Sequence, residues 1–399
     1  MTVSTPTAPR PLAARRDRLT QTAGYFIAFI VLGMGVATFG PTLGGLAAHT
    51  GSTLAQISIV FTARSFGYMI GSIIGGRLYD RMRGHPVIAL GYGAMAMLLV
   101  LTPLMTQLPL LVLVLVLLAF FDGIVDVGCN TLLVWAHSGN VGAVMNALHF
   151  FFGVGALIAP VLAAQVILST HDVHWVYWAI ALLAIIPAIV HLRTPSPARI
   201  QHTPETASET APSQRENMRL TIIIALFFVA IVAVETGFSD WIASYAIAVD
   251  FGDAARAAEL TAVFWAGFTA ARLLSIPLAT KINMRTMLLA NLGICGAFTI
   301  FMLIFSRTPL ALIIGAFGVG FGVAPLFPVM ISYAESRMAI TGKATSIFLV
   351  GSSLGGMTIP FLIGQMFERS GPTTMLWAVL IGTVAATTVF AIVERIKDS

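Results

Sequence analysis

The chain has 399 residues, of which 57% are hydrophobic and only 10% charged, and its mean hydropathy is +0.91. A water-facing surface typically needs roughly 25% charged residues, so a large soluble enzyme is excluded and an integral membrane protein is implied. The net charge of +5 is read as a report on membrane topology rather than on nucleic-acid affinity, because the basic residues gather on one side of the predicted spans.

In chain order, residues 1–21 form a polar tail with Arg10, Arg15, Arg16 and Arg18, followed by an apolar run too long for a signal-peptide core. Windows of about 19 residues predict helices near 22–47, 55–79, 86–106, 109–134, 143–168 and 174–192, so that 22–192 forms a six-helix bundle. Residues 193–219 are rich in Pro, Ser and Thr and read as a polar linker that cannot bury itself. Six more helices follow near 220–248, 257–280, 286–306, 309–334, 342–367 and 372–394, giving a second bundle over 220–394 and a short tail over 395–399. The expected fold is all-α, with twelve transmembrane helices in two pseudo-symmetric six-helix bundles. Cys129 and Cys295 lie in apolar stretches and read as core residues with no disulfide framework.

With the N-terminus placed in the cytoplasm, the N-terminal arginines, those of the linker, and Arg81, Lys281, Arg285 and Lys343 all fall on that side. Only Arg256, Arg307 and Arg369 fall on the other. The positive-inside rule therefore expects both termini and the linker in the cytoplasm, in a plasma or inner membrane. The halves also read as copies. Gly142, Gly155, Pro160 and Gln165 recur at one offset as Gly342, Gly355, Pro360 and Gln365, and Ala119, Phe120 and Gly123 recur as Ala316, Phe317 and Gly320. A duplicated six-helix unit is the architecture of secondary transporters, whose halves rock about a site near the bilayer midplane.

A charge at the bilayer centre costs about 2.5–3.5 kcal/mol even on the lenient insertion scale, so each one requires a partner or a wet cavity. The fourth helix carries Asp122, Asp126 and Asn130 at steps of four, a stripe on one face over roughly 12 Å of depth. Two carboxylates one turn apart repel, which favours keeping a proton on one of them and suits Asp122 and Asp126 to ion coupling. Asn146 and His149 open the fifth helix three residues apart and offer donors and acceptors to a polar ligand. The seventh helix carries Glu235, Gly237, Asp240 and Trp241, with Gly237 expected to interrupt it where broken helices form binding sites. Trp241 and Trp265 are candidate flat faces for a sugar ring, and Arg272 is the natural counter-charge to Glu235 or Asp126. Arg64 is read as lying nearer the outer face, where it can snorkel. Gln165 and Gln365 are weaker candidates, read from the repeat alone. The histidines are scattered, so no metal site, cofactor or catalytic group is expected, and no HExxH, GxSxG or GxxxxGK[ST] pattern occurs.

The connection after the second helix carries Gly76, Asp80 and Arg81, matching the G-x-x-x-D-R core of a loop motif of the major facilitator superfamily, which the chain resembles over all twelve helices. The resemblance implies that Asp80 engages the N-terminal end of the eleventh helix. The segments around Asp122–Asn130, Asn146–Gly155 and Glu235–Trp241 are similar to the sugar-transporting branch that includes fucose permease and the sodium-dependent glucose transporter family. Similarity to fucose permease implies a proton symporter with acids in the first and fourth helices, but here the first helix has neither Asp nor Glu, and Na⁺ held by oxygens of Asp122, Asp126 or Asn130 stays open. Cation-coupled symport of a sugar or similar small polar metabolite by alternating access is the leading expectation, with H⁺ or Na⁺ as coupling ion and a single copy sufficient. Gly155, Pro160, Gly355 and Pro360 are expected to permit the bends. Proton-coupled efflux of amphipathic compounds is the alternative, favoured by 17 methionines and 26 phenylalanines. A non-transporting receptor is a third reading.

Overall fold

The computed structural model describes residues 11–137, 141–198, 214–305, 308–338 and 342–396. Among them are twelve helices long and apolar enough to span a membrane: α1 Asp17–Ala37, α2 Leu54–Tyr79, α3 Gly84–Leu104, α4 Leu108–Ala136, α5 Gly142–Thr170, α6 His174–Arg193, α7 Met218–Ser239, α8 Ala254–Leu278, α9 Met284–Ile304, α10 Pro309–Glu335, α11 Lys343–Ser370 and α12 Thr374–Arg395. The middle of the expected linker, 199–213, and the ends 1–10 and 397–399 lie outside the described residues. Both cysteines are free and buried. Leu90, Leu182, Leu310 and Ile381 are each at least 66% exposed, a density of bare leucine and isoleucine that lipid accommodates and water does not.

Several helix starts follow from local capping. Thr53 and Gln56 form a capping box, each side chain bonding the other's backbone N–H at 3.1 and 2.9 Å. Asp253 accepts from the Arg256 N–H at 2.9 Å and Asn283 from the Thr286 N–H at 2.8 Å, fixing the starts of α8 and α9.

Both halves use the same packing scheme. In the first, α1 packs on α5, α2 on α4 and α3 on α6; in the second, α7 packs on α11, α8 on α10 and α9 on α12. Glycine sets the closest approaches, because only a missing Cβ lets backbones touch. Gly71 faces the Phe120 carbonyl and Gly267 the Phe317 carbonyl, while Gly155 faces the Ile30 carbonyl and Gly355 the Val229 carbonyl. Each contact in one half therefore has its counterpart in the other, which makes the internal repeat a repeat of packing as well as of residues.

The halves meet through α2 on α11 and α5 on α8. At the face away from the termini they are clasped: the Leu54 N–H donates to Glu368 Oε1 at 2.9 Å, Gln365 Nε2 donates to the Ala55 carbonyl at 2.7 Å and to Ser58 Oγ at 3.2 Å, and Thr62 Oγ1 donates to the Met357 carbonyl at 2.7 Å. Toward the terminal face the same helices part, since a Cβ on Gly76 would meet nothing within 4 Å and Leu349 and Val350 of α11 are 42% and 39% exposed.

Two spans stop short of their predicted lengths. The expected helix over 22–47 breaks at Thr38 and continues as Phe39–Thr50, and the one over 220–248 breaks at Asp240–Trp241 and continues as Ile242–Ala248. The seventh helix thus breaks just beyond Gly237, which stays helical and packs on Ile359 and Ile363 of α11. The two breaks lie against each other: a Cβ on Gly40 would meet the Ser239 carbonyl at 2.7 Å, so this crossing requires glycine. α10 also breaks, at Ala324–Pro325, where proline has no N–H to offer the helix. By contrast, α5 and α11 run unbroken through Pro160 and Pro360.

Candidate functional site

Between the halves lies a cavity of about 320 Å³, lined from α1, α2, α4 and α5 on one side and α7, α8, α10 and α11 on the other. The remaining helices, α3, α6, α9 and α12, stay outside it. Its volume is at the small-ligand end of the usual range for binding pockets.

On the first side the stripe on α4 turns inward. Asp122 is 3% exposed and, with Asp126, lines the cavity. Asp126 is held by two donors: the Tyr68 hydroxyl of α2 bonds Oδ2, and Asn130 Nδ2 bonds Oδ1 at 2.8 Å. Two such bonds fix the carboxylate in place. Asp122 makes no hydrogen bond among the described residues, and Arg64 of α2 supplies the opposite charge acting on it. The same guanidinium acts on Asp240 in the second half, so one cation serves a carboxylate from each bundle. It lies over Phe39, with Cζ 3.6 Å from the ring centroid, an arrangement that favours a partly desolvated cation.

On the second side, Glu235 and Asp240 of the α7 segment and Arg272 of α8 face the same space. Arg272 is the charge acting on Glu235, and its Cζ lies 4.8 Å from the Phe268 ring centroid. Trp265 borders the cavity between Phe152 across the interface and Phe268 on its own helix, with centroid distances of 6.4 and 5.0 Å. Among the described residues, Arg64 Nε, Arg272 Nε and Trp265 Nε1 are all buried without a hydrogen-bond partner, a costly condition for a donor in a protein interior. Four carboxylates against two guanidinium groups leave two negative charges in excess when all are ionised and His149 is neutral.

Of the residues singled out from sequence, Asp122, Asp126, His149, Glu235, Asp240, Trp265, Arg272 and Arg64 line this one cavity. Arg64 does not snorkel to the outer face: α2 begins at Leu54, which puts Arg64 about 15 Å down the helix, beneath the Phe39–Thr50 extension. Trp241 is not a cavity residue. It is fully buried, its ring packs between Phe61 and Phe367, and its Nε1–H donates to the Pro360 carbonyl at 3.0 Å. The chain turns at Asp240–Trp241, sending consecutive side chains to cavity and core. Asn130 serves Asp126 rather than the cavity wall, and Asn146 is exposed on α5, one turn nearer the terminal face than His149. Gln165 is exposed, whereas Gln365 belongs to the clasp. Asp80 and Arg81 are exposed at the terminal end of α2, and residues 339–341, which precede α11, lie outside the described residues. Ser65, Tyr68, Phe152, Phe268, Ser352 and Ser353 line the cavity without having been expected there. Helical spacing alone puts Tyr68 one turn from Arg64, Phe152 one turn from His149 and Phe268 one turn from Trp265 and Arg272.

The sequence pattern of the family described as Major Facilitator Superfamily matches residues 25–360. The chain is 30% identical over 377 residues to Sodium-dependent glucose transporter 1A of Mus musculus, covering 85% of this chain and 88% of that protein. It is 28% identical to Sodium-dependent glucose transporter 1 of Homo sapiens, covering 93% and 78%. Among solved structures, the nucleoside transporter NupG superposes with a TM-score of 0.71 at 14% identity, over 96% of this chain and 100% of that one, a likeness of fold.

Proposed function

The chain belongs to the Major Facilitator Superfamily, and on that premise we propose that it is a cation-coupled symporter carrying a sugar or similar small polar metabolite by alternating access. The observation that carries this reading is the cavity itself: between the halves, walled by aromatic faces, with four carboxylates against two guanidinium groups. Excess charge is unfavourable in a space of low dielectric until cations neutralise it, so cation entry prepares the site for a neutral ligand. A polyol suits what remains. Its oxygens accept from the unpartnered Arg64, Arg272 and Trp265 donors, its hydroxyls donate to Glu235 and Asp240, and its C–H face lies on Trp265 or Phe268.

Two coupling ions have separate support. The names of the sodium-dependent relatives favour Na⁺, for which Asp126, fixed by Tyr68 and Asn130, supplies hard oxygen. The lack of a hydrogen-bond donor to Asp122 favours a proton there. Efflux of amphipathic compounds has less support, because no methionine is among the residues lining the cavity and charged groups stand in its wall. Basic residues such as Arg77, Arg81, Lys281 and Arg285 at the terminal ends of the helices, against Arg256 and Arg369 at the other, support a cytoplasmic terminal face. On that assignment the conformation described is closed to the outside, and the halves rock to open it.

The test is uptake of a radiolabelled monosaccharide panel into proteoliposomes under an imposed Na⁺ or H⁺ gradient, for wild type and Asp122→Asn. Accumulation under one gradient, lost in the variant, is expected. Folded protein that accumulates none of the panel under either gradient overturns the reading.

A further inference from the structure

At the face away from the termini, outside the cavity, three side chains remote in sequence converge. The extension Phe39–Thr50 delivers His49, one residue from its end, before the chain turns at Gly51 with φ 61°. The turn between α5 and α6, begun by His171 at φ 56°, delivers Asp172 and His174. Asp172 Oδ1 also accepts from the His174 backbone N–H at 3.2 Å, which orients the two side chains together. Asp172 Oδ1 lies 2.6 Å from His174 Nδ1 and 3.5 Å from His49 Nε2. The two imidazole centroids are 4.6 Å apart, and one ligand atom from each of the three residues lies within 4.8 Å of the others.

We propose that His49, Asp172 and His174 bind a divalent transition-metal ion of the zinc class. Two imidazoles and one carboxylate are a donor set that zinc accepts, leaving a fourth position for water. Metal–ligand bonds of about 2.0–2.2 Å in a tetrahedron put donors about 3.3–3.6 Å apart. The His49–Asp172 edge already has that length, and the His174–Asp172 edge reaches it by opening less than about 1 Å as its hydrogen bond gives way to metal bonds. Nitrogen donors select against Na⁺, Mg²⁺ and Ca²⁺, which separates this site from any coupling ion in the cavity. Its position gives it a consequence. The helix that ends near His49 begins at Phe39, whose ring packs on Arg64, and crosses the α7 break at Gly40. A metal ion therefore ties the helix that seals this face to the α5–α6 turn. The sequence offered no sign of it, because the ligands come from two separate turns with no metal-binding spacing. The proposal does not rest on the transport reading.

The experiment uses full-length protein without a histidine tag, purified in detergent. Co²⁺ is titrated as a spectroscopic probe and displaced with Zn²⁺, and thermal unfolding is followed with Zn²⁺ or Mg²⁺. Wild type is expected to take one Co²⁺ per chain with the visible bands of a tetrahedral nitrogen–oxygen site, to lose them to Zn²⁺, and to be stabilised by Zn²⁺ but not Mg²⁺. The His49→Ala/His174→Ala variant should bind about a hundredfold more weakly or worse, beyond what loss of a mere supporting contact gives. If that variant does not fold, the wild-type Co²⁺ spectrum and the single variant His174→Gln decide instead. Absence of the bands in wild type, or Zn²⁺ stabilisation undiminished in the variants, overturns the proposal.

Discussion

Two tryptophans that look alike in sequence separate cleanly by what their N–H groups meet. Trp241 Nε1–H bonds the Pro360 carbonyl, whereas Trp265 Nε1–H has no partner and stands at the cavity wall. Trp241→Phe removes that hydrogen bond and part of a fully buried ring packed between Phe61 and Phe367, and should destabilise by about 1–3 kcal/mol, with substrate affinity unchanged. Trp265→Phe removes an orphan donor, so thermal stability in detergent should hold or rise while affinity for the proposed sugar ligand falls severalfold; the reverse pattern would remove Trp265 from the proposed binding site. A second prediction concerns Arg272 and Glu235. Arg272 and Glu235 act on each other at the cavity wall, and removing one charge leaves the other less compensated, so Arg272→Gln should lower stability and adding Glu235→Gln should recover part of the loss. A double-mutant cycle on thermal unfolding reads a coupling of at least about 1 kcal/mol if the two charges depend on each other. The charged members of the site were legible in sequence because a charge inside an apolar helix is expensive and stands out. Phe152, Phe268 and the serines of α11 were not, since aromatic and small residues are common throughout such helices. Asn146, exposed on α5 and absent from the lining, marks a different limit: spacing on a helix fixes which way a residue points, but not where along the membrane normal a cavity ends.

At the scale of the helix, backbone contact through glycine is the feature that both halves share. A methyl group at Gly155 or Gly355 would be driven into the Ile30 or Val229 carbonyl, while one at Gly35 or Gly293 would meet nothing within 4 Å. Gly155→Ala and Gly355→Ala should each cost about 1–3 kcal/mol through overpacking, whereas Gly35→Ala and Gly293→Ala should stay near neutral or gain up to about 1 kcal/mol of helix propensity. Thermal unfolding of the four variants in one detergent makes the comparison, and equal effects would count against glycine-set packing. The number and order of the spans followed from hydropathy, which integrates over many residues. The breaks at Thr38 and Asp240–Trp241 did not, because they depend on two extensions crossing at Gly40, and a crossing is a tertiary fact. Gly237 attracted the expected break since glycine is a poor helix former, yet its role is to admit Ile359 and Ile363 of the neighbouring helix.

For the molecule as a whole, the repeat read from Gly155 and Gly355 is realised as two bundles with matched internal contacts, but the sequence could not say which end of the interface is closed. That depends on small differences between two sets of surface contacts. At the end away from the termini, Gln365 gives two hydrogen bonds and Glu368 accepts one, all to the start of α2. If each is worth about 1 kcal/mol net, removing all three shifts the balance between closed and open states by about a hundredfold. The double variant Gln365→Leu/Glu368→Ala should therefore populate a state open at that face. Ser239, which lines the cavity beneath the clasp and is 5% exposed, provides the reporter as Ser239→Cys, since Cys129 and Cys295 are buried. With a membrane-impermeant maleimide supplied only from the face away from the termini, labelling should rise severalfold in the clasp variant and fall back when substrate occludes the cavity. Unchanged labelling would mean that the α2–α11 clasp does not hold the halves together, and would leave the crossing of the two broken helices at Gly40 as the element that does.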